Sequence, residues 1–245
     1  MMQVAANTAP CSAWQQLGLV PGSVLRLSGM RRSGNHAIAN WLMRNAPSGT
    51  SVFLNNCKPG RNPLSHFSAL EVNERHVAGG DAAADLPARV VQAGDGALLL
   101  ISYEDTSIAE MKRGRRLSGD FDETLVGQEI LIYRSFLNWS ASLLKKLQGN
   151  KSYTRSRRLS MVLRTIDNST RLLGLVSNCE ASDATCICYD EWVGSDTYRA
   201  DLLTQLKLPS KDNGVGDVQK YGGGSSFQKQ APSADDLDVL DRWRQ

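Results

Sequence analysis

The chain has 245 residues, 41% of them hydrophobic and 22% charged, the balance of an ordinary folded protein and not of a disordered, collagen-like or disulfide-dense chain. Lys and Arg number 28 against 25 Asp and Glu, a net charge of +3, too mild to argue by itself for a nucleic-acid partner. The longest wholly apolar run, 97–101, falls far short of the roughly 20 residues a membrane-spanning helix needs. The opening residues, MMQVAANTAPCSAW, lack the basic and apolar regions of a secretory signal. Five cysteines (Cys11, Cys57, Cys179, Cys186 and Cys188) include no CxxC pair, and there are three histidines. They read as free thiols in a reducing cytoplasm rather than as a zinc site.

In chain order, 24–28 (VLRLS) reads as a short strand that runs straight into a turn, Gly29 to Gly34. A helix follows from Asn35, where Ala37, Ile38, Trp41 and Leu42 make one apolar stripe. A second strand is expected at 51–54. Residues 57–96 carry eight Pro and Gly positions without periodicity and read as a functional loop region. The runs 97–103 (ALLLISY) and 129–133 (EILIY) are near-continuous apolar strands, as in a parallel sheet covered on both faces. Helical patterns occupy about 136–148 and 157–177, a strand 185–189 (TCICY), and a further helix 196–206. A glycine-rich segment, 222–227, precedes a short amphipathic helix at about 234–244. This alternation predicts a single α/β domain over 1–245, with a mostly parallel central sheet and helices on both faces.

A strand, a glycine turn and a helix start together offer backbone N–H groups and a positive helix end to an anion. Gly29 and Gly34 have the GxxxxG spacing of a nucleotide-phosphate loop. The lysine and the Mg²⁺-binding hydroxyl that should follow are replaced by Asn35 and His36, while Arg31 and Arg32 stand just before Ser33 and Gly34. A guanidinium there can donate a charge-assisted fork to phosphate or sulfate oxygens. Arg134 ends the strand 129–133, and Ser142 lies eight residues on, a little over two helical turns in. Ligands of open α/β sheets gather at such strand ends, so this pair can hold one phosphate.

Taken in order, these features resemble the sulfotransferases that use 3′-phosphoadenosine-5′-phosphosulfate. Arg32-Ser33-Gly34-Asn35-His36 matches the family's 5′-phosphosulfate loop, with Asn and His in place of the usual Thr-Thr. Arg134 and Ser142 match its 3′-phosphate pair. Gly222 to Phe227 resembles the late loop over the 3′-phosphate, without its usual basic residue, and Tyr189-Asp190-Glu191 resembles the segment whose tyrosine lies near the adenine. The resemblance implies a three-layer, P-loop NTPase-like fold of a divergent, bacterial-type member. It also implies a donor site of Arg31, Arg32, Ser33, Gly34, Asn35, His36, Arg134, Ser142, Tyr189, Gly223, Gly224, Ser225 and Ser226. The 3′-phosphoadenosine-5′-phosphosulfate would be the co-substrate, its 3′,5′-bisphosphate the product, and no metal would take part.

Sulfuryl transfer also needs a base to take the acceptor's proton. Glu104, the first carboxylate beyond 97–103, is the leading candidate, with His36 and Asp105 as rivals; Asp105 also reads as a helix cap before Thr106. Arg32 would meet the leaving-group charge. The acceptor is expected to be a small molecule or a carbohydrate carrying a hydroxyl or amine, bound by a lid formed from 57–96, with no nucleic acid and no membrane span. Oligomeric state and acceptor identity are left open. Two alternatives stand beside this reading, a small-molecule kinase and a non-catalytic nucleotide-binding module. A nucleic-acid binder would rest on the cluster Arg155-Ser156-Arg157-Arg158 alone.

Overall fold

The computed structural model describes residues 9–79, 84–106, 116–179, 184–216 and 242–244. In chain order these form α1 (Ala9–Leu17), β1 (Ser23–Gly29), α2 (Asn35–Arg44), β2 (Ser51–Asn55), β3 (Ala69–Val72), β4 (Arg75–Gly79), α3 (Leu86–Val90) and β5 (Leu98–Glu104). After a 3-10 turn (Glu123–Leu125) come β6 (Gln128–Tyr133), α4 (Phe136–Gly149), α5 (Arg155–Val176), β7 (Ala184–Cys188), α6 (Tyr189–Gly194) and α7 (Asp196–Gln205), with a further 3-10 turn at Arg242–Arg244.

One sheet takes all seven strands in the order β4-β3-β2-β5-β1-β6-β7. β2, β5, β1, β6 and β7 run parallel, and β3 and β4 extend the sheet antiparallel beyond β2. Successive strand residues point to opposite faces, and the apolar runs feed both. Leu25, Leu27, Ile130 and Ile132 meet Trp41 and Leu42 of α2 and Trp192 and Leu202 of α6 and α7. On the other face, Val24, Leu54, Leu99 and Ile101 meet α1 and α3 through Leu17, Leu86 and Val90, and Leu131 meets α4 and α5 through Trp139, Leu143 and Leu172. Helices thus cover both faces. Between the second pair of clusters, buried Arg26 donates to Glu129 and to Ser118 Oγ (2.9 Å) and is paired with Glu123.

From β1 the chain goes through α2 to β2; from the neighbouring β6 it leaves the other way, through α4 and α5 to β7. Adjacent parallel strands whose exits diverge leave a crevice at their C-terminal ends. The turn 30–34 and Arg134 both lie there.

Three expectations need correction. Residues 57–96 are not unpatterned: they hold β3, β4 and α3. The hairpin turn is Asn73-Glu74, both at positive φ (49° and 64°), a conformation normally signalled by glycine. The 185–189 strand stops at Cys188, and Tyr189 opens α6. Cys179 and Cys186 form a disulfide with Cα atoms 6.3 Å apart, while Cys57 and Cys188 are free and buried. This pairing removes the argument from unpaired thiols on which the cytoplasmic expectation rested. The segment that Asp105 was expected to cap lies outside the described residues, and the Asp105 carboxylate is engaged by Arg31. The late loop, with Gly223, Gly224, Ser225 and Ser226, and most of the expected terminal helix lie outside the described residues. None of the described helices is long and apolar enough to cross a membrane.

Glu71 of β3 is 4% exposed. Burial, aided by the charge of Glu74, pushes its carboxyl up to about 7. An unfolded glutamate titrates near 4.3, so between the two values the native state binds more protons than the unfolded one. The stability is full below that window and falls as pH rises through it, by about 3–4 kcal/mol. Glu71→Gln is expected to abolish this fall, read as urea midpoints that no longer drop between acidic and mildly alkaline buffer.

Candidate functional site

Register places the pieces. Gly29 pairs with Glu104 of β5 on one side and with Ile132 of β6 on the other, so the turn after β1 emerges between Glu104 and Arg134. Tyr133 pairs with Cys188 of β7, which sets Arg134 and Ser135 beside Tyr189 and Asp190.

The turn itself is held in an unusual shape. Arg32 has φ 70° and Gly34 φ 89°. For a non-glycine residue the left-handed region costs about 1–2 kcal/mol, and it persists only where the surroundings impose it. Here they do. The Arg31 N–H donates to Asp105 Oδ1 (2.9 Å), and the Arg31 guanidinium pairs with the same carboxylate. The Arg31 carbonyl accepts from Trp139 Nε1 of α4 (2.9 Å). Asp105, itself at φ 55°, donates its N–H to the Gly29 carbonyl (3.0 Å), and its carbonyl accepts from Asn168 of α5 (3.0 Å). The end of β5 and α4 therefore hold Arg31 at its N–H and its carbonyl, which supports the φ of the residue that follows.

Arg32 points into the crevice. Its Nε donates to Ser142 Oγ (3.2 Å), a side chain buried on the inner face of α4. Burial lowers the Arg32 pKa, and the nearby positive charge of Arg134 lowers it further, against a smaller opposing pull from Glu104. Arg134 is 4% exposed. Its Nε donates to Asp190 Oδ1 (3.3 Å), and the guanidinium lies over the Tyr189 ring at 5.0 Å. Asp190 also accepts from the Ser135 N–H (2.7 Å) and Asn138 Nδ2 (3.2 Å), so one carboxylate fixes the start of α4 and the arginine before it. Of the expected pair, Ser142 accepts from Arg32 and Arg134 is held by Asp190, with Arg32 near enough to Arg134 for their charges to oppose.

Gly34 caps α2 without a side-chain bond, so the first N–H groups of the helix face the turn. A Cβ on Gly34 would overlap the Tyr189 ring. Tyr189 in turn stacks on Trp192 (5.7 Å between centroids, 21° between planes). The tyrosine is 9% exposed and serves as the surface on which the turn rests. Ser33 is buried and donates its N–H to the Met30 carbonyl (3.2 Å).

Beside Arg32 stand the candidate bases. Asn35 Nδ2 donates to the Met30 carbonyl and to Glu104 Oε1, both at 3.2 Å, while its Oδ1 is buried without a partner. Glu104 is therefore oriented by the first residue of α2. Burial lowers the His36 pKa, and Arg32 lowers it too, against Glu104, which keeps the ring neutral near pH 7; the ring sits edge-on to Phe53 at 6.3 Å. With the Asp105 carboxylate engaged by the Arg31 N–H and guanidinium, Glu104 is the carboxylate of the two that faces Arg32 and His36.

The sequence reading brought Arg31, Arg32, Ser33, Gly34, Asn35, His36, Glu104, Arg134, Ser142 and Tyr189 to this crevice, and the fold assembles them. It missed the residues that position them: Asp105 as a clasp, Asp190, Trp139 and Asn168. No family model, curated protein or solved structure matches the chain.

Proposed function

We propose that this chain is a sulfotransferase that moves a sulfuryl group from 3′-phosphoadenosine-5′-phosphosulfate to a hydroxyl or amine of a small-molecule or carbohydrate acceptor. One observation carries the reading. The half-buried guanidinium of Arg32 is held in a strained turn close enough to the buried one of Arg134 for the two charges to oppose each other, beside the N-terminus of a ten-residue helix that no side chain caps. Burying like charges together is unfavourable in the free protein, and a multivalent anion reverses both the repulsion and the lost solvation. The central β1 with its phosphate-type turn supports the finer reading of the fold as P-loop NTPase-like. The turn lacks the lysine and hydroxyl that a Mg-nucleotide would use.

In this reading Arg32 and the first N–H groups of α2 hold the phosphosulfate end, and Arg134 with Ser142 the 3′-phosphate. Glu104 takes the proton as the acceptor oxygen attacks sulfur. The bond from sulfur to the bridging oxygen breaks, and its electron pair leaves on the 5′-phosphate, where Arg32 meets the growing charge. Arg134→Ala is expected to weaken binding of 3′-phosphoadenosine-5′-phosphate about a hundredfold, the loss of one buried charge-assisted contact. Arg61→Ala, an exposed change, is expected to leave it alone. Titration calorimetry reads both, and equal affinities in the two variants would contradict the assignment.

A further inference from the structure

The layer formed by α4, α5 and the turn Arg242–Arg244, which packs against α4, departs from the rest of the surface in two ways. The first is apolar exposure. Among the described residues ten large hydrophobic side chains are exposed, and seven of them lie on this layer. On α5, Leu159 and Leu163 are each 60% exposed and Ile166 follows them. The spacing i, i+4, i+7 sets all three on one stripe, separate from the stripe of Met161, Val162, Leu172 and Leu175 that packs on the core. On α4, Phe136, Leu137 and Leu144 are exposed.

The second is charge. These three elements hold nine basic residues and one acid, Asp167, a net charge of eight, against three for the whole chain. Arg157, Arg164 and Arg171, seven residues apart, run in a row along the exposed side of α5. Arg171 shares Asp167, and Arg157 lies over the Tyr153 ring. Helical spacing puts the row about 130° round α5 from the leucine stripe, so the exposed side has one apolar and one basic edge, the pattern of a helix that lies in the interface of an anionic bilayer. A second copy of this face would bring eight positive charges against eight, so self-association does not cover it.

We propose that the α4–α5 face binds the surface of an anionic lipid bilayer, with Leu159, Leu163 and Ile166 entering the headgroup boundary and the arginine row meeting lipid phosphates and carboxylates. This is independent of the chemistry assigned to the crevice. Asn168, on the same helix, donates to the Asp105 carbonyl (3.0 Å), so the docked helix is also one that holds the site.

The test is vesicle co-sedimentation of the full chain with phosphatidylcholine alone and with phosphatidylserine added. Binding is expected only with the anionic lipid, weaker in high salt because the charge is screened. Leu159→Asp/Leu163→Asp is expected to lower the partition coefficient at least about tenfold, and Arg157→Ala/Arg164→Ala to lower it separately. Val91→Asp, an equally exposed apolar position off this layer, is the control and should bind as wild type. Thermal melts of the variants, all changed at exposed positions, check that the fold persists. No binding to anionic vesicles, equal binding to neutral ones, or binding undiminished in both double variants would overturn the proposal. So would capture of an acidic amphipathic peptide by a chain that ignores vesicles.

Discussion

Gly34→Ala is expected to destabilise the chain by about 2–5 kcal/mol, a large loss for one methyl group. Two costs add. Alanine at φ 89° sits in the left-handed region, about 1 kcal/mol or more above its relaxed state. The new Cβ would also enter the Tyr189 ring. That ring has little room to retreat: Trp192 stacks on it, Trp41 packs edge-on to Trp192 at 5.9 Å, and Arg134 lies over it. Overpacking of a site this constrained adds roughly 1–3 kcal/mol. Urea unfolding measures the sum. Gly149→Ala, with nothing within 4 Å of the added Cβ, serves as the comparison and should be close to neutral. A Gly34→Ala chain as stable as wild type would mean that the turn does not rest on Tyr189.

Glu104→Gln carries the other large effect, on rate. Loss of a general base commonly lowers turnover by about 10²–10⁴-fold. Because the Glu104 charge bears on Arg32, its removal leaves the arginine more of its field for an anion. Affinity for the bisphosphate product should hold or rise while transfer collapses. Asp105→Asn should differ in kind. It weakens the clasp on Arg31, frees Arg32 from its imposed conformation, and is expected to weaken bisphosphate binding. Comparing binding with turnover in the two variants separates proton removal from positioning. If Asp105→Asn alone abolished transfer with affinity intact, the base would have been assigned to the wrong neighbour.

How much of this was legible in the sequence depends on the range of the interaction. β1, the turn and α2 follow from a buried apolar run, two glycines and one helical stripe within about twenty residues, and all three form. The strand carrying Arg134 and the helix behind it follow the same way. The hairpin β3–β4 escaped because its turn is Asn73-Glu74, where glycine or Asn-Gly would have announced it, and because Glu71 interrupts the apolar pattern. Tyr189 was read one element too early, since an apolar run ending in an aromatic looks the same whether the strand continues or a helix begins. The clasp of Arg31 by Asp105 joins residues 74 apart, and Trp139 reaches the same residue across 108. No local pattern encodes such contacts; they arise because parallel strands bring distant C-terminal ends to one edge. The Cys179–Cys186 bond is local, spanning seven residues between the end of α5 and β7; it was missed because no CxxC spacing marks it.

The most direct test of the donor site is calorimetric titration of the chain with 3′-phosphoadenosine-5′-phosphate in EDTA, beside ATP with Mg²⁺. Two converging guanidiniums, one buried and one half-buried, at a helix start that no side chain caps, in a turn without a Mg²⁺ ligand, predict metal-independent binding of the bisphosphate at about micromolar affinity and no tighter binding of Mg-ATP. Binding of Mg-ATP with none of the bisphosphate, or silence from both, would contradict the account.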